Sequence, residues 1–322
     1  MPLAIDAHAH VFCWGEDPSQ GYFSERTRRS WLTRLLMRLT GVLREPGETL
    51  TDKMRHRLLR HVDTSGLDYV VVLAQDARYR PDGSRDDAGT PFYVSNDYVL
   101  GLAREHPRIV AGCSINPHRP DALAELERCR AAGCRLVKIH TAIQGVDPQL
   151  AAFDPFYRLA AELGVVLTFH TGYEHSAQVV SQQFTDPRRL ARALGHGGRI
   201  IAAHCGTCAF FDREDYYPRF IEMLGKHDNL YGDTAVLTSL VRWTALRRLE
   251  REPPELKTRL IHGSDYPFPP SRLPYLRRIG LFPPQRRNPL ALDHAIKRTF
   301  DLGPRYDSLL GELLDLPAPA GK

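Results

Sequence analysis

Eight short runs rich in Val, Ile and Leu, each ending in a polar or ionisable residue, constrain the fold of this chain more than any other feature. They occupy 3–6, 69–74, 109–115, 135–140, 165–170, 199–204, 229–233 and 259–265 of its 322 residues. Cores such as VVVL, LVKI, VVLTF and RIIAA lack a clean alternation of apolar and polar residues, the pattern of parallel strands covered on both faces. Helix-length segments with their own start and stop signals lie between them. Asn96 opens one that Pro107 ends, Pro120 sits in the first turn of one closed by Gly133, and Asp154-Pro155 starts one that Gly164 ends. Asp186-Pro187 repeats that start. The later strands recur about every 30 residues, the length of one βα unit. Eight such units predict a TIM (β/α)8 barrel forming a single domain over 1–322, with a doubly wound open sheet as the rival.

Two stretches break the repeat. Residues 13–65 separate the first two strands and carry RTRRSWLTRLLMRL, where the spacing of Trp31, Leu35 and Leu39 and of Leu32 and Leu36 predicts an amphipathic helix over the barrel mouth. Residues 75–95 are polar and rich in Gly and Pro, which predicts an exposed loop and a lid. The tail 316–322 reads as frayed.

Composition excludes several classes. The net charge of +5 is too small to name a nucleic-acid or membrane partner, and the arginines are scattered rather than gathered in a stripe. The start MPLAIDAHAHVF has no basic region before an apolar core, and no apolar run approaches the ~20 residues of a membrane span. The expected location is the cytoplasm, where six cysteines remain thiols. Cys205 and Cys208 match C-x-x-C, but they follow a strand end instead of opening a redox helix.

The chemistry gathers at the strand ends. His8 and His10 follow the first predicted strand, His140 and His170 end the fourth and fifth, His204 ends the sixth and Asp265 the eighth. In a barrel every strand C-terminus points at one mouth, so these residues converge. Residues i and i+2 of a strand share a face, so His8 and His10 reach one divalent cation from the same side. Neutral imidazoles with a carboxylate suit zinc first and manganese second.

The set DAHAH, LVKIH, TFHTG, AAHCG and HGSDYP resembles the amidohydrolase superfamily of metallo-dependent barrel hydrolases. It looks most like the amidohydrolase-related (amidohydrolase 2) branch of hydrolases and aryl or enoate decarboxylases, over 3–270. The resemblance implies that His8, His10, His170 and Asp265 are metal ligands, with His204 a second ligand or a base. It also implies that Asp265 shuttles a proton. Lys138 stands where some branches carry an N-carboxylated lysine bridging two metals; otherwise one metal is bound and Lys138 serves substrate or a neighbouring ligand. A plain pairing with an acid such as Asp233 is the structural reading of the same lysine.

Around this centre, Trp14, Tyr173, Tyr266 and Phe268 follow strand ends and can stack on a substrate ring, while His140, Glu174 and His175 lie close enough to touch it. No acid occurs between Asp265 and Asp293, an interval holding Arg272, Arg277, Arg278, Arg286 and Arg287. These arginines read as a solvated outer surface or, in the functional reading, as a clamp in which Arg272 holds a substrate carboxylate. The chain is read as a metal-dependent hydrolase of a small carboxylate-bearing amide, ester or lactone. A metal-dependent decarboxylase and a non-catalytic ligand-binding barrel are the alternatives. The expected partner is a small anion, with no nucleic acid or membrane; a homo-oligomer is left open.

Overall fold

A computed structural model describes residues 3–318, apart from the side chains of Leu32, Leu36 and Leu39. Its strands are β1 (Ile5–His10), β2 (Gly21–Phe23), β3 (Tyr69–Leu73), β4 (Phe92–Val94), β5 (Ile109–Ser114), β6 (Leu136–Ile139), β7 (Val166–His170), β8 (Ile200–Ala203), β9 (Leu230–Asp233) and β10 (Leu260–Ile261). Eight of them form one sheet in the order β1-β3-β5-β6-β7-β8-β9-β10, parallel throughout. The segment after β10 closes the sheet on β1. Ala7 N donates to His262 O (2.9 Å), Asp265 N to His8 O (2.7 Å) and His10 N to Tyr266 O (2.7 Å). All eight predicted runs are barrel strands, and the fold is the TIM barrel.

The period-2 side-chain rule divides each strand between two cores. On β3, Tyr69, Val71 and Leu73 point into the barrel, while Val70 and Val72 pack outward under the helices. On β6, Leu136 is inside and Val137 and Ile139 outside; on β7, Val166 is inside and Leu167 and Phe169 outside. Two residues above the inner Leu136 and Val166 stand Lys138 and Thr168, and two above those His140 and His170. The barrel axis is therefore apolar at its base and polar at its mouth. Leu309, Leu310, Leu313 and Leu314 plug the base.

Strand β1 departs from the expected run in a way that matters. It continues through His10, where the sequence suggested an end near Asp6, and its register shifts between Asp6 and Ala9. Ile5 and Ala7 belong to the inner core, yet Ala9 belongs to the outer one. The β-bulge flips the alternation and aims His8 and His10 inward.

The insertion is shorter than 13–65. Leu50–Thr64, opened by a Thr49–Asp52 capping box, buries Leu58 and Val62 in the outer core as the first barrel helix. Before it lie the helices Glu25–Arg29 and Trp31–Leu39. Trp31 and Leu35 face solvent, so that part of the expected apolar stripe points away from the barrel; Leu32, Leu36 and Leu39 lie outside the described side chains. The second irregular stretch is tied to the insertion by antiparallel pairing of β2 with β4. Asp186-Pro187 starts a 3₁₀ turn, Pro187–Leu190, and a four-residue helix, not a full one. In the tail, Leu316 N donates to Gly311 O and Tyr69 Oη to Pro317 O; residues 319–322 lie outside the described residues. Among the described residues no helix is long and apolar enough to cross a membrane.

Close packing at the mouth yields a contrast between two glycines. Gly172, just after β7, has φ +82°, and a Cβ there would lie 2.1 Å from Thr207 O. Gly225, within the helix Tyr217–Lys226, has open space around it. Gly172→Ala is expected to cost about 2 kcal/mol or more and lower Tm by several degrees. Gly225→Ala should raise stability by about 0.5–1 kcal/mol through helix propensity. Thermal and urea denaturation of both variants check the pair; a neutral Gly172→Ala would contradict the packing.

Candidate metal centre and the cavity above it

The bulge in β1 and the seam to β10 bring three donors onto the barrel axis. His8 Nε2 lies 3.2 Å from His10 Nε2 and 3.4 Å from Asp265 Oδ1, and His10 Nε2 is 3.4 Å from the same oxygen. His204 joins them, since donor atoms of His8, His204 and Asp265 all lie within 4.8 Å of one another. His170 comes in from β7 with Nδ1 3.2 Å from His204 Nε2.

What each nitrogen presents is set by the atom behind it. His8 Nδ1 contacts Asp233 Oδ2 at 2.8 Å, both residues being buried. Although burial works to raise it, the Asp233 carboxyl is held well below the usual carboxylate range by His8 beside it. An ionised carboxylate only accepts, so His8 Nδ1 carries the hydrogen and Nε2 faces inward as a lone pair. Burial, aided by the Lys138 ammonium, pushes the His8 imidazole down to about 4 and keeps it neutral. His204 Nδ1 likewise contacts Ala235 O at 3.0 Å, leaving Nε2 as a lone pair, and burial pushes this ring down to about 3. Burial opposes ionisation of Asp265, yet His10 and the neighbouring imidazoles hold its carboxyl low. Imidazole lone pairs turned inward beside a carboxylate are the donor types that a divalent cation takes. These donors fit such an ion.

Backbone strain marks the same places. His204 (φ 64°) and Asp265 (φ 65°) both adopt the left-handed region, as does Val236 (φ 63°) on the cavity wall. For a β-branched residue that conformation is costly, and such strain collects at functional sites. It is held by the surroundings: His204 N donates to Asp233 Oδ1 (2.8 Å), and Asp265 N to the backbone of His8.

Lys138 is buried on the inner face of β6, with Nζ 3.3 Å from His8 Nε2. Asp233 is the partner of His8, not of Lys138: among the described residues no carboxylate oxygen lies within 4.0 Å of the amine. Burial pushes this amine down to about 8. A second group sits beside the first. His140 Nε2 is 3.0 Å from Glu174 Oε2, His170 Nε2 is 3.7 Å from the same oxygen, and the two rings stack at 4.0 Å. Burial works to raise the Glu174 carboxyl, but His140 and Ser176 bring it down to about 2.

Above these groups lies a cavity of about 290 Å³. Tyr173, Glu174, His175, Tyr266 and Phe268 line it, together with His140 and the metal-site residues. Two expected wall residues do not reach it. Trp14 packs behind Phe23, with ring centroids 5.6 Å apart, and Phe12 stands in the wall instead. Arg272 donates to Leu281 O (2.9 Å) outside the mouth. Ser271 N bonds Thr238 O and Tyr275 is sunk in the core, which carries the segment over the barrel exterior. From 75–95, Phe92 lines the cavity; the insertion supplies Phe23, Thr33, Met37 and Val42. Sequence reasoning passed over Arg57 and Arg242, which also line it. Nothing local distinguishes Arg242 in SLVRW from the chain's other arginines. Asp233, by contrast, ends a predicted strand as the ligand candidates do, and that position was the available signal.

The family model described as amidohydrolase matches residues 5–300. None of the curated proteins matches the chain in sequence. Solved structures share its fold at low identity. One is an uncharacterized TIM-barrel protein from Bordetella bronchiseptica, 16% identical with a TM-score of 0.61 over 92% of this chain and 99% of that chain. Another is a probable 2-pyrone-4,6-dicarboxylic acid hydrolase from Acinetobacter baumannii with citric acid bound, 15% identical with a TM-score of 0.57 over 97% and 99%. A third is 5-carboxyvanillate decarboxylase from Novosphingobium aromaticivorans, complexed with manganese and 4-hydroxy-3-methoxy-5-nitrobenzoic acid. It is 14% identical with a TM-score of 0.53 over 98% and 96%. With a barrel of eight parallel strands and a family match spanning most of its length, the chain belongs to the amidohydrolase family.

Proposed function

We propose that this protein is a metal-dependent hydrolase of a small carboxylate-bearing amide, ester or lactone. The observation that carries the reading is the convergence of His8, His10 and Asp265 within 3.4 Å, with His204 beside them, at the floor of a cavity. One divalent ion, zinc or manganese, would be held by His8, His10 and Asp265, with His204 and His170 completing the donor set. When bound there, such an ion lowers the pKa of water and polarises a carbonyl.

The chain's own residues have separate tasks. Asp233 fixes the tautomer of His8 and so the direction of its lone pair. The Asp265 carboxylate accepts a proton from the attacking water and hands it to the leaving amine or alcohol. Lys138 serves as a free amine that donates a hydrogen bond at the cavity floor, the single-ion alternative to a carboxylated bridge. Residues of the insertion and Phe92 cover the mouth and keep bulk water from the reacting bond. A small anion is the expected substrate because Lys138 and Arg242 line the cavity without a carboxylate partner, whereas Arg57 beside them is paired with Glu45. Loss of carbon dioxide is the second reading of the same centre, and it demands a protonated Asp265 to deliver a proton to carbon.

Two measurements check this. Turnover screened over N-acyl amino acids, aryl esters and carboxylated lactones should yield hydrolytic products. Asp265→Asn should lower kcat by about 10²-fold or more with little change in KM. Stoichiometric carbon dioxide release, or near-native turnover in Asp265→Asn, would overturn the assignment. Metal analysis of protein purified without chelator should find one ion per chain, retained in Lys138→Ala and bound about 10–100-fold more weakly in Asp233→Asn. Two ions falling to one in Lys138→Ala would establish a bridging carboxylated lysine instead.

A further inference from the structure

Arg242 ends the 3₁₀ turn Leu240–Arg242 beyond β9 and is 7% exposed. Its two hydrogen-bond partners are neutral: the guanidinium donates to Thr207 Oγ1 (3.2 Å) and to the carbonyl oxygen of Tyr173 (2.9 Å). Among the described residues no carboxylate oxygen lies within 4.0 Å of it. The acids whose field reaches it are otherwise engaged, Glu174 with His140, Asp212 with His175 and Asp265 at the metal centre. A guanidinium stays charged at any physiological pH, so its burial without a counter-ion is costly.

Elsewhere this fold does not leave buried cations in that condition. Lys297 pairs with Asp293 at 2.6 Å, and Lys257 pairs with Asp301. Arg242 and Lys138 are left without a carboxylate partner, and both line the cavity. The missing charge is thus one that a bound molecule brings. A guanidinium has five N–H donors in a planar fork, and two of them already have acceptors, which leaves donors for both oxygens of a carboxylate.

The rest of the wall describes the remainder of that molecule. Phe12 lies 5.3 Å from Phe23 and 5.5 Å from Phe92 in ring-centroid distance, and Met37, Val42 and Met54 continue the apolar surface. Such a surface suits a flat ring or a branched alkyl group.

We propose that Arg242 holds a spectator carboxylate of the substrate while an aryl or branched alkyl body packs on Phe12, Phe23 and Phe92. The ligand class is an amphiphilic carboxylic acid whose hydrolysable bond is a separate group. This assignment rests on the hydrolase reading for the identity of the bound molecule as substrate, but its test does not.

Benzoate and its neutral isostere nitrobenzene have no bond to hydrolyse, so their binding to the metal-loaded protein reads the subsite independently of catalysis. Calorimetric titration should show benzoate binding more tightly than nitrobenzene, with a preference that falls as salt is raised. Arg242→Met should weaken benzoate by about tenfold or more and leave nitrobenzene unchanged. Arg242→Lys, which keeps the charge and loses the fork, should weaken benzoate severalfold and serves if the Met variant does not fold. Unchanged benzoate affinity in either variant overturns the proposal, as does equal loss of both probes, which would make Arg242 a support for the Tyr173 and Thr207 loops. A failure here with hydrolysis intact would leave the metal-centre reading standing.

Discussion

The seam where the last strand meets the first governs both the closure of this barrel and its chemistry. β10 contributes two residues to its ladder with β9, so closure falls to the segment that follows it. The bonds Asp265 N to His8 O and His10 N to Tyr266 O are backbone interactions, which any residues could make. They nonetheless place the side chains of Asp265, His8 and His10 side by side. Residues more than 250 positions apart in sequence are thereby held at hydrogen-bonding range by the same bonds that remove the sheet's edges.

The barrel can tolerate so polar a mouth because its base is apolar and plugged. Inward positions climb from Leu136 to Lys138 to His140 and from Val166 to Thr168 to His170, so the costly groups are stacked at one end. There Lys138 meets His8, His140 meets Glu174 and His170 meets His204, while the buried Thr168 hydroxyl has no hydrogen-bond partner among the described residues. Asp233 illustrates the economy: one oxygen fixes His8 and the other accepts from the backbones of His204 and Ala235. A single buried carboxylate therefore sets two elements of the candidate site.

Charge at the mouth divides into paired and unpaired groups. His140 with Glu174, and His175 with Asp212, are internally matched. Lys138 and Arg242 are not, and both line the cavity. The acid-free arginine stretch after Asp265, which looks more basic in sequence, runs over the outside. Net charge along a segment thus says little about the field inside a cavity.

The sequence by itself determined the eight strands, their parallel order and the common mouth shared by Lys138, His140, His170, His204 and Asp265. Those follow from local patterns, apolar runs and the position of a residue at a strand end, and a parallel barrel turns such positions into one mouth. It did not determine which way β1 faces. Plain alternation from the inward Ile5 and Ala7 would have sent His8 and His10 outward, and the bulge that reverses this is a register event between β1 and β3. Nor could it place Arg242, Arg57 and Phe12 on the cavity or remove Trp14 and Arg272, since loop trajectories depend on long-range contacts such as Ser271 N to Thr238 O and the pairing of β2 with β4. Periodicity along the chain encodes strand and helix; which wall a loop residue joins is decided by packing between segments distant in sequence.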